Sequence, residues 1–467
     1  MVGAVTATPL LRGQDFRALY LAAAVSQFGS QVSVVALPLL AVTALGAGPG
    51  EVGLLSALGT LVVLLVGLPV GTWVDRTRRR RLMIAADLVR AVVLGSVPVA
   101  WWAGALTMPQ LYLVAVAVGA GGLLFDVAAQ SLLPHLVGRD RLPEANSALV
   151  ATAAAMDVSG RSLAGVLAQL TGASLAILLD AATYLWSAWL LRTLRDPETG
   201  PPAAPAPGPP AGPAPGPPAG PAPGPPSVPE TVPPSVPETV SPGPVTGPGG
   251  RGKGRRGTGR SREPADRLGP QIAEGIRFVL GDRVLLAIAV QGAMVNLAFP
   301  LCSVLLPVLL VGQLGHPAWV YGAFLATGGL GTLAGSALAH RIGRRLGTGR
   351  ATWLAGVVTA PAALFLPLMS HGPLLWLAAA AWLVLTFRTG VNNVLLVSFR
   401  QRITPDPMLG RMNATMRLIL TGAVGAGALL AGLLGEAAGV RAAIGAGAVI
   451  MALSWLPIYL SPLRRAA

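Results

Sequence analysis

GTWVDRTRRRR, residues 71–81, separates two apolar runs of membrane-spanning length, 51–74 and 82–103, and places one acid and five arginines in a very short turn. Lys and Arg beside spanning helices are retained on the cytoplasmic side, so the turn is expected in the cytoplasm and orients every other segment. Gly71, Asp75, Arg76 and Arg79 are the residues of this turn with the potential to do more than report topology.

The rest of the chain fits a lipid solvent. Of 467 residues, 53% are hydrophobic and only 11% charged, with a mean hydropathy of +0.64. A helical crossing needs about 20 apolar residues. Runs of that kind lie near 16–45, 51–74, 82–103, 109–133, 144–169, 172–192, 284–311, 317–340, 351–370, 374–398, 411–436 and 440–461, which predicts an all-α membrane protein with twelve spans. Both termini are then cytoplasmic, in a multi-pass protein of the cell membrane. The net charge of +15 follows from topology: arginines crowd the loops assigned to the cytoplasm, and the opposite loops carry only Arg441. That asymmetry argues against a nucleic-acid partner. The single cysteine, Cys302, excludes an internal disulfide and a cysteine metal site. Residues 1–15 lack a basic signal-peptide start, so the first span is expected to be retained.

Residues 196–270 break the pattern. AGPAPGPP at 211–218 recurs at 219–226, and SVPETV at 227–232 recurs at 235–240. Such Pro/Gly/Ala tracts bury too little apolar surface to offset the entropy of ordering, so a disordered cytoplasmic linker is expected between a bundle at 1–195 and another at 271–467. Its basic end, RGKGRRGTGRSR at 251–262, is either a solvated positive-inside tail or a contact for anionic headgroups. The bundles repeat one another at an offset of 267, the separation of Asn146 from Asn413. The same register pairs Gly160 with Gly427, Gly165 with Gly432 and Gly172 with Gly439. HRIGRR at 340–345 echoes the 71–81 turn, with Arg341 and Arg344 in place and His340 where the acid stands. Six-plus-six repeats are the architecture of rocker transporters that bind substrate between the halves near the midplane.

The turn resembles the Gly-x-x-x-Asp-Arg-x-x-Arg-Arg loop between helices 2 and 3 of major facilitator superfamily transporters. Beyond topology the chain is similar to their drug:proton antiporter branch, which includes macrolide-efflux and enterobactin-exporter-like proteins. FRALYLAAAVSQFG (16–29), FDVAAQSLLPHLVGRDRLPEANSAL (125–149), LDAATYL (179–185), IAEGIRFVL (272–280) and GRMNATMR (410–417) carry that likeness. Arg161 stands where the branch has proline in helix 5, Arg78 replaces the loop's second glycine, and Ser30 occupies a frequent acid position. For the loop, the resemblance implies an inner gate in which Asp75 faces the start of the eleventh span and Arg411, with Arg76, Arg79, Arg341 and Arg344 completing the latch.

Carboxylates inside spans are costly and therefore informative. Asp157 and Arg161 are four apart in the fifth span, on one face, about 20 Å and 26 Å from its cytoplasmic end at 1.5 Å per residue. They form either a permanent ion pair or a proton-sensitive one coupled to opening. The stripe Gly160, Ala164, Ala168 beside them suits close helix packing. Asp180 fits either an interhelical hydrogen bond or proton coupling. Asp126 fits a gate or proton site, or a structural pairing with Arg90 or Arg141. Asp87 and Arg90 are expected at the membrane interface with a structural role. Arg388, mid-span, is expected to meet an anion, from either a first-half aspartate or the substrate. Asn392 and Asn393 beside it, and Gln27, Gln31 and Asn296 in the first and seventh spans, complete the candidate cavity.

The expected function is proton-coupled export of a hydrophobic or amphipathic small molecule, such as a drug, antibiotic or secondary metabolite, by alternating access, with antibiotic resistance as its consequence. Uptake or uniport is the alternative, and a transport-dead receptor or scaffold a further one. No nucleotide-binding loop, metal cluster or nucleophile triad suggests an enzyme. The expected carrier is a monomer without a cofactor whose partners are its substrate, protons and the bilayer.

Overall fold

The structure, a computed structural model, describes residues 10, 13–75, 77–138, 141–194 and 268–465. The expected linker lies outside the described residues up to position 267, as does Arg76 of the turn; a helix already begins at Leu268.

The elements are α1 (Gln14–Leu45), α2 (Pro49–Asp75), α3 (Arg79–Trp102), α4 (Met108–Val137), α5 (Leu142–Thr171), α6 (Ala173–Thr193), α7 (Leu268–Gly281), α8 (Arg283–Ser303), α9 (Ala318–Leu346), α10 (Thr348–Ala363), α11 (Pro373–Ile403), α12 (Asp406–Ala438), α13 (Val440–Leu453) and α14 (Leu456–Leu460). The twelve expected spans are all helical: α1 to α6 form the first six, and α8 to α12, followed by α13 with α14, form the second six. Among the described residues nine helical segments are long and apolar enough to cross a membrane by themselves. Backbone polar groups in lipid must be satisfied within the segment, which is why no strand interrupts the described chain. A π-helical turn, Val308–Gln313, extends α8.

Helix ends follow local chemistry. Pro109, Pro143, Pro373 and Pro407 sit in the first turns of α4, α5, α11 and α12, where a missing N–H costs nothing. The α5–α6 and α12–α13 turns each reverse through one glycine, Gly172 (φ 84°, ψ 153°) and Gly439 (φ 91°, ψ 156°), a conformation that an L side chain disfavours. These two residues are repeat equivalents, so the internal symmetry read from sequence extends to turn geometry.

Two ends of the bundle differ in how the halves meet. At the end away from the arginine-rich turn, one hydrophobic core runs through both halves, from Val32, Leu55 and Tyr184 to Leu301, Tyr321 and Met451. Toward the arginine-rich end, the described residues instead form separate cores, one confined to the first half around Phe16, Met83 and Leu132 and three confined to the second. The far-end contact rests on missing side chains. A Cβ on Gly53 of α2 would collide with Gly432 of α12, and one on Gly165 of α5 would collide with Gly322 of α9. In lipid, where the hydrophobic effect gives helices little reason to associate, such close backbone approach is the chief source of attraction. Glu436 of α12 adds a carboxylate that accepts a hydrogen bond from Gly50 N at 3.2 Å, at the N-terminus of α2.

Helix α7 is additional to the twelve spans. It lies along α12, with Gly275 against the Arg411 carbonyl and Thr415, and Val279 packed with Met412 and Met416.

Gly53→Leu and Gly322→Leu are predicted to hold the far end apart. Each should cut transport by the reconstituted protein more than tenfold while expression persists, whereas Gly95→Ala, at a position with nothing within 4 Å of a new Cβ, should stay near wild type. Parallel transport assays of the three variants check this.

Candidate functional site

A cavity of about 430 Å3 lies between the halves, walled by α1, α2, α4 and α5 on one side and by α8, α9 and α12 on the other. Its surface is chiefly aliphatic and aromatic, including Val34, Leu37, Leu55, Phe299 and Leu325. Hydroxyls from Ser30, Ser33, Ser56, Thr60 and Ser303 and the phenol of Tyr321 break that apolar lining. Arg161 is the one charged residue among the described lining. Its Nε donates to Gln31 Oε1 at 2.9 Å, and Gln31 is itself buried. Gly160 permits this, because a Cβ there would press on Gln31 and on the Phe28 carbonyl.

Behind the cavity wall a polar network joins α1, α3 and α6. Ser33, which lines the cavity, donates to Asp180, and Thr183 Oγ1 donates to Asp180 Oδ1 at 3.1 Å. Asp180 is fully enclosed, and Gly29 of α1 provides the space for its carboxylate. Ser30 and Tyr184 exchange a hydroxyl hydrogen bond of 2.8 Å, and the Tyr184 ring lies 4.2 Å from the Arg90 guanidinium carbon. Arg90 pairs with Asp87 and also faces the Phe125 ring at 5.3 Å. The expected interfacial placement of Asp87 and Arg90 is therefore corrected. Both are buried, because an ion pair and two aromatic faces replace the water that an interface would have supplied.

The remaining candidates scatter. Asp126 is exposed, and neither expected partner is paired with it: Arg90 holds Asp87, and Arg141 pairs with Glu144 at 3.4 Å. The side chains of Asp157, Asp75 and Gly71 lie outside those described, although all three residues are helical. Arg388 is buried at the α11–α13 interface, away from the cavity lining, and donates to the Met451 carbonyl at 3.2 Å and to the Ser454 hydroxyl. Neutral acceptors thus occupy the place where an anion was expected. Asn392 is buried beside it and Asn393 exposed. Asn296 turns its amide onto the Gly292 carbonyl of its own helix at 2.8 Å, and Gln27 is half-buried without lining the cavity. Arg79 begins α3, and Arg341 and Arg344 are exposed near the end of α9. Arg411 forms an ion pair of 2.6 Å with Glu274 of α7.

Several contributors escaped the sequence reading. Ser30 and Ser33 had a signal, since Ser26, Ser30 and Ser33 recur at helical spacing along α1. Arg80 caps α6 by donating to the carbonyls of Leu191 and Arg192 at 2.9 and 2.6 Å, and only the fold reveals that use. Glu274 and Tyr321 likewise carried no local signature.

Comparison with known proteins bears on this geometry. The sequence matches the Major Facilitator Superfamily over residues 19–423. It is 26% identical over 448 residues to the multidrug efflux pump Tap of Mycobacterium tuberculosis, covering 92% of this chain and 89% of the pump. Among solved structures, an inward-facing bacterial homologue of the iron transporter ferroportin superposes with a TM-score of 0.65 at 16% identity, covering 97% of this chain and 99% of that one. The nucleoside transporter NupG gives 0.63 at 9% identity, covering 95% and 99%. These structural likenesses concern the fold.

The buried Asp87–Arg90 pair yields a stability prediction. Asp87→Asn leaves a buried cation uncompensated and should cost about 3–5 kcal/mol, whereas Asp87→Leu combined with Arg90→Met should recover most of that loss. Thermal unfolding of the two variants in detergent measures the difference.

Proposed function

The chain belongs to the Major Facilitator Superfamily, and we propose that it exports hydrophobic or amphipathic small molecules in exchange for protons by alternating access. One observation carries the reading: a mainly apolar, hydroxyl-bearing cavity lies between halves that share a core only at the far end, among the described residues. Such walls suit ligands with a large apolar frame and few polar groups. The arginine-rich end is cytoplasmic on the positive-inside rule, so the conformation is loaded from within. Likeness to a multidrug efflux pump supports the same class of solute and the same direction. A carrier of this kind catalyses no covalent chemistry, and its constraint is geometric: the cavity must not open to both sides at once.

Proton coupling needs a carboxyl that communicates with the cavity. Asp180 has that relation through Ser33, which touches both the carboxylate and the cavity. Asp157 precedes Arg161 by one helical turn and is the second candidate; exposed Asp126 is the third. At the inner end, the Arg411–Glu274 pair fastens α7 to α12 in this conformation. We assign Asp75, at the end of α2, to the closed-inside state, in which α2 and α12 approach there and the carboxylate takes over Arg411.

Oriented proteoliposomes with an imposed pH gradient test the export reading. The wild type should concentrate a dye substrate against its gradient, and dissipating the pH gradient should collapse the steady state; mere equilibration would support uniport instead. Asp180→Asn is predicted to abolish the concentrating step while retaining exchange of substrate across the membrane. If that variant still concentrates substrate, the same assay on Asp157→Asn and Asp126→Asn locates the coupling carboxyl.

Asp75→Asn is predicted to slow transport at least tenfold with substrate binding largely intact, because it disturbs the interconversion of states and not the cavity. Side-by-side binding titration and transport rates on the reconstituted variant check this.

A further inference from the structure

We propose that Arg161 makes the cavity selective for amphipathic molecules bearing a negative charge, such as a carboxylate, sulfonate or ionised phenol on an apolar frame. The proposal rests on the reading of this cavity as the transport site. Among the described lining residues no carboxylate accompanies Arg161. Asp180 is enclosed behind Ser33, and Asp87 is engaged with Arg90.

The internal repeat sharpens the point. Arg161 corresponds at the offset of 267 to Ala428, and both residues line the cavity. One half contributes a cation where the other contributes a methyl group, so the second half supplies no opposing charge at the equivalent place. The bond from Arg161 Nε to Gln31 Oε1 orients the guanidinium without cancelling its charge, because a carboxamide oxygen is a neutral acceptor. Arg161 also borders a side chamber of about 40 Å3 beside Phe299 and Trp382. These rings are 5.0 Å apart, which places an aromatic wall next to the cation.

A planar guanidinium binds two-oxygen anions through paired hydrogen bonds, and low-dielectric walls strengthen its attraction for an anion and its repulsion of a cation. An apolar ring system would rest against the aliphatic and aromatic surface while its anionic group met Arg161. Neutral amphiphiles keep the apolar contacts and lose the ionic one.

The test uses two probes with one ring framework: 8-anilinonaphthalene-1-sulfonate and N-phenyl-1-naphthylamine, which lacks the sulfonate. Calorimetric titration of the full chain in lipid nanodiscs, with empty nanodiscs subtracted, gives the ratio of their affinities. The wild type is expected to favour the sulfonate at least tenfold, and Arg161→Gln to reduce that ratio about tenfold or more. Arg161→Lys should fall between them, since it keeps the charge without the fork. Binding of the amine reports that each variant is folded. Asp157→Asn, which removes a carboxylate one turn from Arg161, should leave sulfonate affinity unchanged or raise it. The proposal is overturned if the wild type favours the amine or binds neither probe, if Arg161→Gln leaves the ratio unchanged, or if Asp157→Asn weakens the sulfonate. Equilibrium binding needs no gradient, so the outcomes separate. Sulfonate selectivity without gradient-driven transport refutes export alone, and export of the amine with an Arg161-independent ratio refutes only this proposal.

Discussion

The closest approach of the two halves is made by backbone on backbone, Gly53 against Gly432 and Gly165 against Gly322, and the rest of the architecture depends on it. Lipid offers little hydrophobic reward for bringing helices together, so an interface between halves must gain its attraction from dispersion at short range. Glycine supplies that range without filling it. Because the two contacts involve repeat-equivalent glycines of α5 and α12, the internal symmetry gives a paired fastening on either side of the cavity. Such a contact depends steeply on distance, so it is either made or lost, which suits a carrier with two discrete states.

The cavity below that fastening has the polarity pattern of a general amphiphile site. Apolar walls provide area, and hydroxyls provide donors and acceptors that rotate to suit the ligand. Its charged groups are treated differently. Those with no proposed task are neutralised in place: Asp87 by Arg90, and Arg388 by a carbonyl and a hydroxyl. Those proposed to act, Arg161 and Asp180, stand at the cavity surface or one hydrogen bond behind it. Helix α1 links both, through Gln31 to Arg161 and through Ser33 to Asp180. A change at either site is therefore felt by the same helix, which is the physical basis for coupling a proton to substrate.

Much of the fold was legible because lipid imposes long apolar runs. The expected span 16–45 appears as Gln14–Leu45, and the repeat register anticipated that Gly172 and Gly439 would occupy the same turn. The site was less legible, because hydrogen-bond partners across helices depend on helix rotation, which spacing does not fix. The stripe Gly160, Ala164, Ala168 pointed to the close-packed face of α5, yet the contact with the opposite half is made one position along, by Gly165. Arg388 looked like a cation awaiting an anion, whereas α13 satisfied it with neutral oxygens. Arg411 was assigned to Asp75 from the loop alone, and its partner here, Glu274, lies on a helix that the span pattern did not resolve from the preceding linker.

The central claim is that the halves rock about the cavity, separating at one end as they close at the other. Distances between spin labels on the two halves test it most directly, in a Cys302→Ser background that removes the single, buried native cysteine. Cysteines replacing exposed His135 and Arg402 report the arginine-rich end, and cysteines replacing exposed Trp102 and Trp376 report the far end. On shifting pH or adding a transported dye, the account predicts opposite changes, with the first distance shortening as the second lengthens. Distances that stay fixed under every condition, or that lengthen and shorten together, would contradict it.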